Sequence, residues 1–188
     1  MNKHDVLEFK PASPPLGKNI YEEKRFTLRR CEIPLRGGGQ SLRGLIIHPG
    51  AVVILPIDEQ GQIILIRNHR WQIGRPLIEL PAGTRDPNES IEHCAHRELE
   101  EETGFKAQTL TPLSPFFIAP GISTEVHYPF IAKGLIEVGQ SLEADEEIDV
   151  LHFSVDMVRQ ALLDGSIQDA KTIAVLSRYL LAHGGVGA

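Results

Sequence analysis

The sequence predicts an α/β fold in which mixed sheets are sandwiched between helices, with a strand-forming segment at the N-terminus. Three observations support this prediction. Short apolar or alternating runs, bounded by turn residues, fill the first two thirds of the chain and are typical of strands. Segments with helical spacing of apolar residues lie between and after these runs. Because strands and helices do not alternate regularly, a sandwich is favoured over a doubly wound parallel sheet.

The predicted strands share apolar or alternating residues bounded by Pro, Gly, Asn or Asp. In chain order they are Arg25–Ile33, Arg43–His48, Ala51–Ile57, Gln62–Asn68, Leu77–Leu80, Gln108–Ser114, Val126–Ala132 and Ile148–Phe153. Between the third and the fourth strand, the run Asp58-Glu59-Gln60-Gly61 predicts a hairpin turn.

Three helices are predicted from apolar spacing and from residues that favour helix ends. They are Glu89–Thr103, with Asn88 or Ser90 as N-cap and Gly104 after the last turn; Val155–Asp164, ended by Gly165; and Ala170–His183, capped by Asp169. The last helix carries Ile173, Leu176 and Leu180 at helical spacing, which predicts an apolar face.

The composition is that of one folded domain, since 41% of the 188 residues are hydrophobic and 23% are charged. A net charge of −6 argues against general binding to nucleic acids or membrane surfaces, because both need surplus Lys and Arg. Cys31 and Cys94 are too far apart for a metal motif, so we interpret both as reduced core residues. The N-terminal residues lack the apolar run of a signal peptide or membrane helix, so a cytoplasmic location is expected.

The first predicted helix carries acidic residues where its apolar face should continue. Ile91 and Cys94 begin that face, and positions 98 and 102 extend it at helical spacing. Both positions are glutamates, and Glu101 lies three residues beyond Glu98 on the same side. Three carboxylates held this close repel one another, and partial burial makes their ionisation less favourable. The pattern therefore indicates a site that needs positive charge.

Two interpretations of this acidic helix are open. For Glu100, on the opposite side, a solvated surface residue is the simpler one. Glu98 and Glu102 prolong the apolar stripe instead, and Arg97 alone cannot neutralise three acids. A divalent cation would offset the repulsion, and a ligand set of oxygens without His or Cys favours Mg²⁺ or Mn²⁺ over zinc.

Residues 83–105 resemble the Nudix box, the motif G-x5-E-x7-R-E-U-x-E-E-x-G-U in which U is apolar. Its fixed positions are filled by Gly83, Glu89, Arg97, Glu98, Leu99, Glu101, Glu102, Gly104 and Phe105. Chance would give such a match in fewer than roughly one in a million chains of this size. The strand-rich flanks and the two C-terminal helices are also similar to the Nudix α/β/α sandwich, so the resemblance covers most of the chain.

The resemblance implies an enzyme that hydrolyses a phosphoanhydride in a nucleoside diphosphate linked to another group, with Mg²⁺ as cofactor and Mn²⁺ as a substitute. It places the metal on Glu98, Glu101 and Glu102, with the backbone carbonyl of Ala82 as a further ligand. Arg97 is expected to orient this cluster. We therefore expect Arg97 and Glu101 to take part in catalysis.

Features outside the box resemble the pyrophosphatases that act on ADP-ribose and on nucleoside diphosphate sugars such as GDP-mannose. The run from Ala119 to Glu125 reads A-P-G-I-S-T-E and implies that Gly121 lies at the substrate, the alternative being a plain turn. The run Ile66-Arg67-Asn68-His69-Arg70 implies that Arg70 contacts the diphosphate. Glu79 is expected to support the ligands or to contact the substrate, the alternative being an edge residue that faces water. The implied products are a nucleoside monophosphate and a sugar phosphate.

The general base is expected in the acidic loop before the last predicted strand. Aligning Ile148 with the start of that strand places the role on Glu146. Glu147, Glu143 or a metal-bound glutamate of the box are the alternatives, and a loop of this charge is also commonly just solvated.

For nucleobase binding, the sequence offers several candidate residues rather than one. Tyr21, Phe26 and Trp71 are the aromatic residues that could stack on a base, and each also suits a core or an interface. Related enzymes are homodimers whose N-terminal strands cross to the partner subunit. We therefore expect residues 1–45 to form such a segment, residues 46–188 to form the Nudix domain, and the protein to be a homodimer.

Three other functions are compatible with parts of the sequence. A hydrolase of nucleoside triphosphates has the same box, although the A-P-G-I-S-T-E run argues against it. A binding module that senses ADP-ribose without turnover would typically have lost box carboxylates, and this box is complete. An acidic domain stabilised by Ca²⁺ would need no substrate and no role for Arg70.

Overall fold

The computed structural model describes residues 13–144 and 146–183 of the protein. The strands, in chain order, are β1 (Gly17–Glu22), β2 (Thr27–Pro34), β3 (Gln40–Ile47), β4 (Ala51–Pro56), β5 (Ile63–Arg70), β6 (Arg75–Glu79), β7 (Ala82–Thr84), β8 (Phe105–Pro112), β9 (Phe116–Phe117), β10 (Val126–Glu137) and β11 (Ile148–Phe153). The helices are α1 (Ile91–Thr103), α2 (Val155–Leu163) and α3 (Ala170–His183).

The strands form three sheets. The first has the order β1-β2-β3 and is antiparallel. The second has the order β7-β4-β10-β8, with β9 paired to β10, and it is mixed because β4 and β10 run parallel. The third has the order β11-β5-β6 and is antiparallel. The predicted α/β class with mixed sheets and an N-terminal strand segment is confirmed.

Strand β4 lies at the centre of the molecule, and all of its residues are buried. Val53 and Leu55 belong to a core cluster shared with β5, α2 and α3, whereas Val52 and Ile54 belong to a second cluster shared with α1 and β10. Because successive side chains of a strand point to opposite faces, β4 is covered by helices on both sides. This double burial explains its continuous apolar sequence.

The three predicted helices are confirmed, with small shifts at their ends. Helix α1 begins at Ile91, because the hydroxyl of Ser90 accepts a hydrogen bond from the backbone N–H of His93. It ends where Gly104 adopts a left-handed conformation with φ of 74°. Helix α3 has the predicted bounds, and the carboxylate of Asp169 accepts the backbone N–H of Thr172 at 2.9 Å.

The strands differ from the prediction at the periphery. Strands β1, β7 and β9 were not predicted, and β8 and β10 are longer than their apolar runs. Every residue of β1 is exposed, so this strand has no buried face to produce an alternating pattern. Strands β7 and β9 have only three and two residues. Such strands depend on their partners in the sheet rather than on their own sequence.

The predicted hairpin turn after β4 is present and is closed by an antiparallel bridge between Ile57 and Ile63, but the pairing of the two strands ends there. The carboxylate of Asp58 accepts the backbone N–H groups of Gln60 and Gln62, and this closes the turn. Beyond the bridge between Ile57 and Ile63, however, β4 and β5 enter different sheets. The turn therefore connects two layers of the sandwich rather than two neighbouring strands of one sheet.

Cys31 and Cys94 are both free and buried, as the sequence predicted. Within residues 13–144 and 146–183, the structure contains no helix with the length and apolar character needed to span a membrane.

Candidate active site

A cavity of about 300 Å³ opens beside β7 and the inner face of α1. Its lining is strongly charged and contains acids and bases from distant parts of the chain. The bases are Lys24, Arg25, Arg70, Arg85, Arg97 and Lys171, and the acids are Asp86, Glu98, Glu101, Glu102, Glu125, Glu143, Glu146 and Asp169. The acids outnumber the bases, so the cavity accommodates an anionic ligand only where positive charge is supplied locally.

The box glutamates lie on the inner side of α1, as the helical spacing predicted. Glu98 and Glu102 are buried, whereas the side chain of Glu101 is 35% exposed. Burial raises the pKa of Glu98 to about 7, and the charges of Glu101 and Glu146 act in the same direction. Burial and the neighbouring charge of Glu98 also raise the pKa of Glu102 well above its ordinary value. When all of its carboxylates are ionised, the cluster therefore carries more negative charge than Arg97, its ion-pair partner in the described structure, can neutralise.

Gly83 provides the space in which Glu98 lies. A Cβ atom on Gly83 would come within 1.8 Å of the carboxyl carbon of Glu98. Real Cβ atoms do not approach other atoms this closely, so any larger residue would displace the carboxylate. The first glycine of the box is thus required by the position of a box glutamate on the facing helix.

Arg97 connects the glutamates of the box. Its Nε and Nη2 donate to the two carboxylate oxygens of Glu89, each at 2.9 Å. Its Nη1 donates to Glu98 at 2.7 Å and to Glu101 at 3.0 Å. The paired guanidinium holds the pKa of Glu89 far below its usual range. Glu89 thereby fixes Arg97, and Arg97 positions two of the predicted metal ligands.

The carboxylates fit a divalent cation by their chemistry, although they are not arranged around one point. Among the described residues, no three Asp, Glu, His or Cys side chains converge closely enough to hold a metal ion. Arg97 draws Glu98 and Glu101 toward itself, and the backbone N–H of Ala82 donates to Glu102 at 2.8 Å. Oxygen donors, two of them buried with raised pKa, are nevertheless the set that Mg²⁺ or Mn²⁺ prefers.

A second charged group, which we call the Glu79 network, contributes Arg70, Lys171 and Asp169 to the cavity lining. Glu79 is 1% exposed and accepts hydrogen bonds from Nε and Nη2 of Arg70 at 2.7 and 2.6 Å. Lys171 forms ion pairs with both Glu79 and Asp169. Two acids are thus matched by two bases. The alternative that Glu79 is an edge residue facing water is excluded, because β6 is covered here by α3, where Thr172 accepts the backbone N–H of Leu80.

The loop before β11 brings Glu146 into the cavity lining. The Glu146 carboxylate accepts the backbone N–H of Glu143 at 2.9 Å, and its charge raises the pKa of both Glu98 and Glu102. Glu143 also lines the cavity and pairs with Lys24 at 3.7 Å and with Arg25 at 3.5 Å. The turn between β1 and β2 therefore contacts the loop that carries the predicted base.

Four predicted substrate residues do not line this cavity, and one of them, Glu79, is connected to it only through Arg70 and Lys171. Trp71 is 74% exposed, and Tyr21 is 55% exposed with its ring centroid 6.1 Å from that of Phe26. Gly121 is exposed, and a Cβ atom there would meet nothing within 4 Å. Their role in binding the substrate stays a prediction.

Several residues of the cavity were not identified from the sequence. Lys171 lies in the first turn of α3 and was assigned no role, although the apolar Val175 four residues later was a signal that the lysine lies on the inner face of the helix. Arg85 is inside the box segment but at an unspecified position. His127 and Glu125 form a pair, with 2.8 Å between Nε2 and the carboxylate, that lines the cavity from β10.

The chain is similar in sequence to known pyrophosphatases over most of its length. An ADP-ribose pyrophosphatase of Bacillus subtilis is 33% identical over 165 residues, which cover 87% of this chain and 89% of that protein. An ADP-ribose pyrophosphatase of Mycobacterium tuberculosis is 37% identical, with coverage of 85% and 79%. A GDP-mannose pyrophosphatase of Enterobacter sp. is 36% identical, with coverage of 72% and 74%.

A solved structure described as an ADP compounds hydrolase superposes with a TM-score of 0.74 and 25% sequence identity, and the match covers 94% of this chain and 99% of that one. The NUDIX domain matches residues 47–176, a range that contains the box, the Glu79 network and the Glu146 loop. The chain therefore belongs to the NUDIX domain family.

Proposed function

We propose that the protein is a Nudix pyrophosphatase that hydrolyses ADP-ribose or a related nucleoside diphosphate sugar, such as GDP-mannose. The products are a nucleoside monophosphate and a sugar phosphate. The observation that carries this proposal is the complete set of box glutamates, two of them buried with raised pKa, on the same cavity as Arg70 and Glu146. Similarity to pyrophosphatases of both substrate types supports the substrate class.

Nudix hydrolases generally use a divalent metal. Here Glu98, Glu101, Glu102 and the carbonyl oxygen of Ala82 would hold Mg²⁺ or Mn²⁺, whose chemistry is to neutralise the diphosphate charge and to make water more acidic. In this structure the same carboxylates accept hydrogen bonds from Arg97 and from the backbone N–H of Ala82.

Glu146 accepts a proton from a water molecule, and the resulting hydroxide attacks one phosphorus atom of the diphosphate. The anhydride P–O bond breaks, and the departing phosphate carries the electron pair away. Arg70 uses Nε and Nη2 to hold Glu79, so Nη1 is the atom we assign to a phosphate oxygen. Lys171 and Glu79 keep the guanidinium in place for this contact.

Dimer formation is part of the proposal. Strand β1 is exposed along its whole length, and the first sheet and its flanks expose large apolar side chains. These are Leu16, Ile20, Tyr21, Leu35 and Leu42. A second copy packed on this sheet would cover them and would bring residues such as Tyr21 to the partner's nucleobase. A cytoplasmic location, with no nucleic-acid or membrane partner, completes the proposal.

The test is a phosphate-release screen with Mg²⁺, coupled to a phosphatase, over ADP-ribose, GDP-mannose, UDP-glucose and the nucleoside triphosphates. The proposal expects turnover of diphosphate sugars that is lost in Glu102→Gln and kept in Glu100→Gln. Glu100 is the matched control, because it lies on the outer face of the same helix and pairs with Lys106. Binding of ADP-ribose without turnover would instead indicate a sensing module.

A further inference from the structure

Arg85 lies in the cavity wall directly after β7, five residues before the N-cap of α1. Its backbone N–H donates to the carbonyl of Gly50 at 3.1 Å, which continues the β4–β7 pairing by one residue. The side chain is half-buried and lines the same cavity as the box glutamates. The sequence motif leaves this position unspecified, so the motif itself assigns it no role.

Arg85 differs from the other basic residues of the cavity because it has no acidic partner. The others form ion pairs within the described structure: Lys24 and Arg25 with Glu143, Arg70 with Glu79, Arg97 with Glu89, and Lys171 with Glu79 and Asp169. Among residues 13–144 and 146–183, no carboxylate lies within 4 Å of the Arg85 guanidinium, and its buried Nε has no hydrogen-bond acceptor.

A buried guanidinium N–H without an acceptor destabilises the folded protein, because the group has lost water and gained nothing in return. Arginine is also the residue best matched to phosphate oxygens, since its donors are planar and always charged. An unpaired arginine on the wall of a cavity rich in acids thus has the chemistry of a site for an anion. A diphosphate is such an anion.

We propose that Arg85 binds a phosphate oxygen of the nucleoside diphosphate substrate. This inference rests on the proposed function for the identity of the ligand. Arg85 then approaches the diphosphate from the β7 side of the cavity, whereas Arg70 approaches it from the Glu79 network. The phosphate supplies the negative charge that the Arg85 guanidinium does not find among the described carboxylates.

The first experiment measures binding of ADP and of adenosine by calorimetry in buffer with Mg²⁺. Replacing Arg85 by Gln is expected to weaken ADP binding by about 10- to 100-fold, the scale of one charge-assisted hydrogen bond. Adenosine has no phosphate, so its affinity is expected to stay the same. The matched control is Arg159→Gln, which removes one positive charge from the exposed pair with Asp156 on α2 and is expected to leave ADP binding unchanged.

The second experiment separates binding from a structural role by the sign of the stability change. If Arg85 serves the ligand, Arg85→Met removes an unpaired buried donor and the melting temperature of the free protein stays level or rises. If Arg85 holds the loop together, the melting temperature falls. Arg85→Lys keeps the charge without Nε and is expected to bind ADP with intermediate affinity.

The outcomes separate this inference from the proposed function. Turnover of no diphosphate sugar by the wild-type protein contradicts the proposed activity, while the ADP titrations still decide the role of Arg85. ADP affinity in Arg85→Gln equal to that of the wild type overturns the inference, as does equal loss of adenosine and ADP binding. A change in the oligomeric state of Arg85→Gln with unchanged affinity for ADP also overturns the inference. In that case, the partner of the Arg85 guanidinium would be a carboxylate of a second copy of the chain.

Discussion

Glu79 and Glu102 are both buried glutamates within apolar sequence patterns, but their negative charges are balanced differently. Glu79 is paired with Arg70 and Lys171, and Asp169 completes a group with equal numbers of acids and bases. Glu102, equally buried, receives one backbone hydrogen bond and lies beside other carboxylates. The charge of Lys171 also acts on Glu102, but within the described residues Lys171 forms its ion pairs with Glu79 and Asp169. The first arrangement is complete within the chain, whereas the second needs a cation. We propose that the Glu79 network is a scaffold and that the α1 cluster is the reactive side.

The substitution Glu79→Ala is expected to have the largest effect, and it tests whether the Glu79 network stabilises the fold. It leaves Arg70 and Lys171 without their shared partner, and loss of one member of a buried ion pair is expected to lower the free energy of unfolding by about 3 kcal/mol or more. Urea unfolding followed by circular dichroism measures this. Glu137→Ala, at the exposed end of β10, is the control and is expected to change stability by less than about 0.5 kcal/mol. A Glu79→Ala protein as stable as the control would show that the network is not a scaffold.

For the α1 cluster we expect the opposite result, a loss of activity without a loss of stability. Glu102→Gln removes one carboxylate from a repelling cluster, so stability is expected to hold or to increase. Turnover of ADP-ribose is expected to fall by about 100-fold or more, since a group that must balance charge in the reaction is lost. Steady-state kinetics and thermal melting on the same preparation test both parts. Loss of stability together with activity would place Glu102 in the scaffold as well.

Measuring stability as a function of pH tests whether Glu98 in the α1 cluster holds a proton. Burial raises the pKa of Glu98 to about 7 from an ordinary value of 4.5, so the folded state holds this proton more tightly than the unfolded state. Its contribution to stability is complete below pH 4.5 and is lost as the pH rises through 7. Without metal, the wild type is expected to lose roughly 3 kcal/mol relative to Glu98→Gln between pH 4.5 and 7.5.

The control for this series is added Mg²⁺. A cation that binds the ionised cluster is expected to abolish the difference in pH dependence between the wild type and Glu98→Gln. Parallel stability curves for the two proteins in the absence of metal would contradict the raised pKa of Glu98.

Gly83→Ala tests how the scaffold positions the reactive side. The added Cβ atom collides with the carboxyl end of the Glu98 side chain, which is flexible and can move aside, so we expect a drop in kcat with little loss of stability. Gly37→Ala is the matched control, because a Cβ atom there meets nothing within 4 Å. Crystal structures of both variants would locate the Glu98 side chain, and an undisplaced Glu98 would refute this explanation of the glycine.

The reactive side of the cavity was largely predictable from the sequence, because its residues lie on one helix. Glu98, Glu101 and Glu102 are related by helical spacing, and local signals at Ser90 and Gly104 fix where the helix begins and ends. The buried strand β4 was predictable for a similar reason, since burial on both faces leaves a continuous apolar run.

The scaffold was far less predictable, because its contacts join distant parts of the chain. Glu79 and Lys171 are 92 positions apart. The contact between Glu143 and Arg25, which lies outside this network, also joins distant parts of the sequence. The turn after β4 was predictable because the turn chemistry at Asp58 is local, whereas the separation of β4 and β5 into different sheets is decided by the whole fold. That Arg85 has no acidic partner within the described part of the chain could likewise be recognised only from the structure, which shows the ion pairs of the other Lys and Arg side chains in the cavity lining.

The most direct test of the difference between the two sides is a calorimetric titration of the metal-free protein with Mg²⁺ at pH 6.5, in two buffers of different ionisation enthalpy. The buried carboxylates of α1 hold protons that a bound cation displaces, so the wild type is expected to release protons on binding and Glu102→Gln to bind far more weakly. Binding without proton release, or equal binding by both proteins, would contradict the conclusion that the α1 cluster is the side that needs a cation.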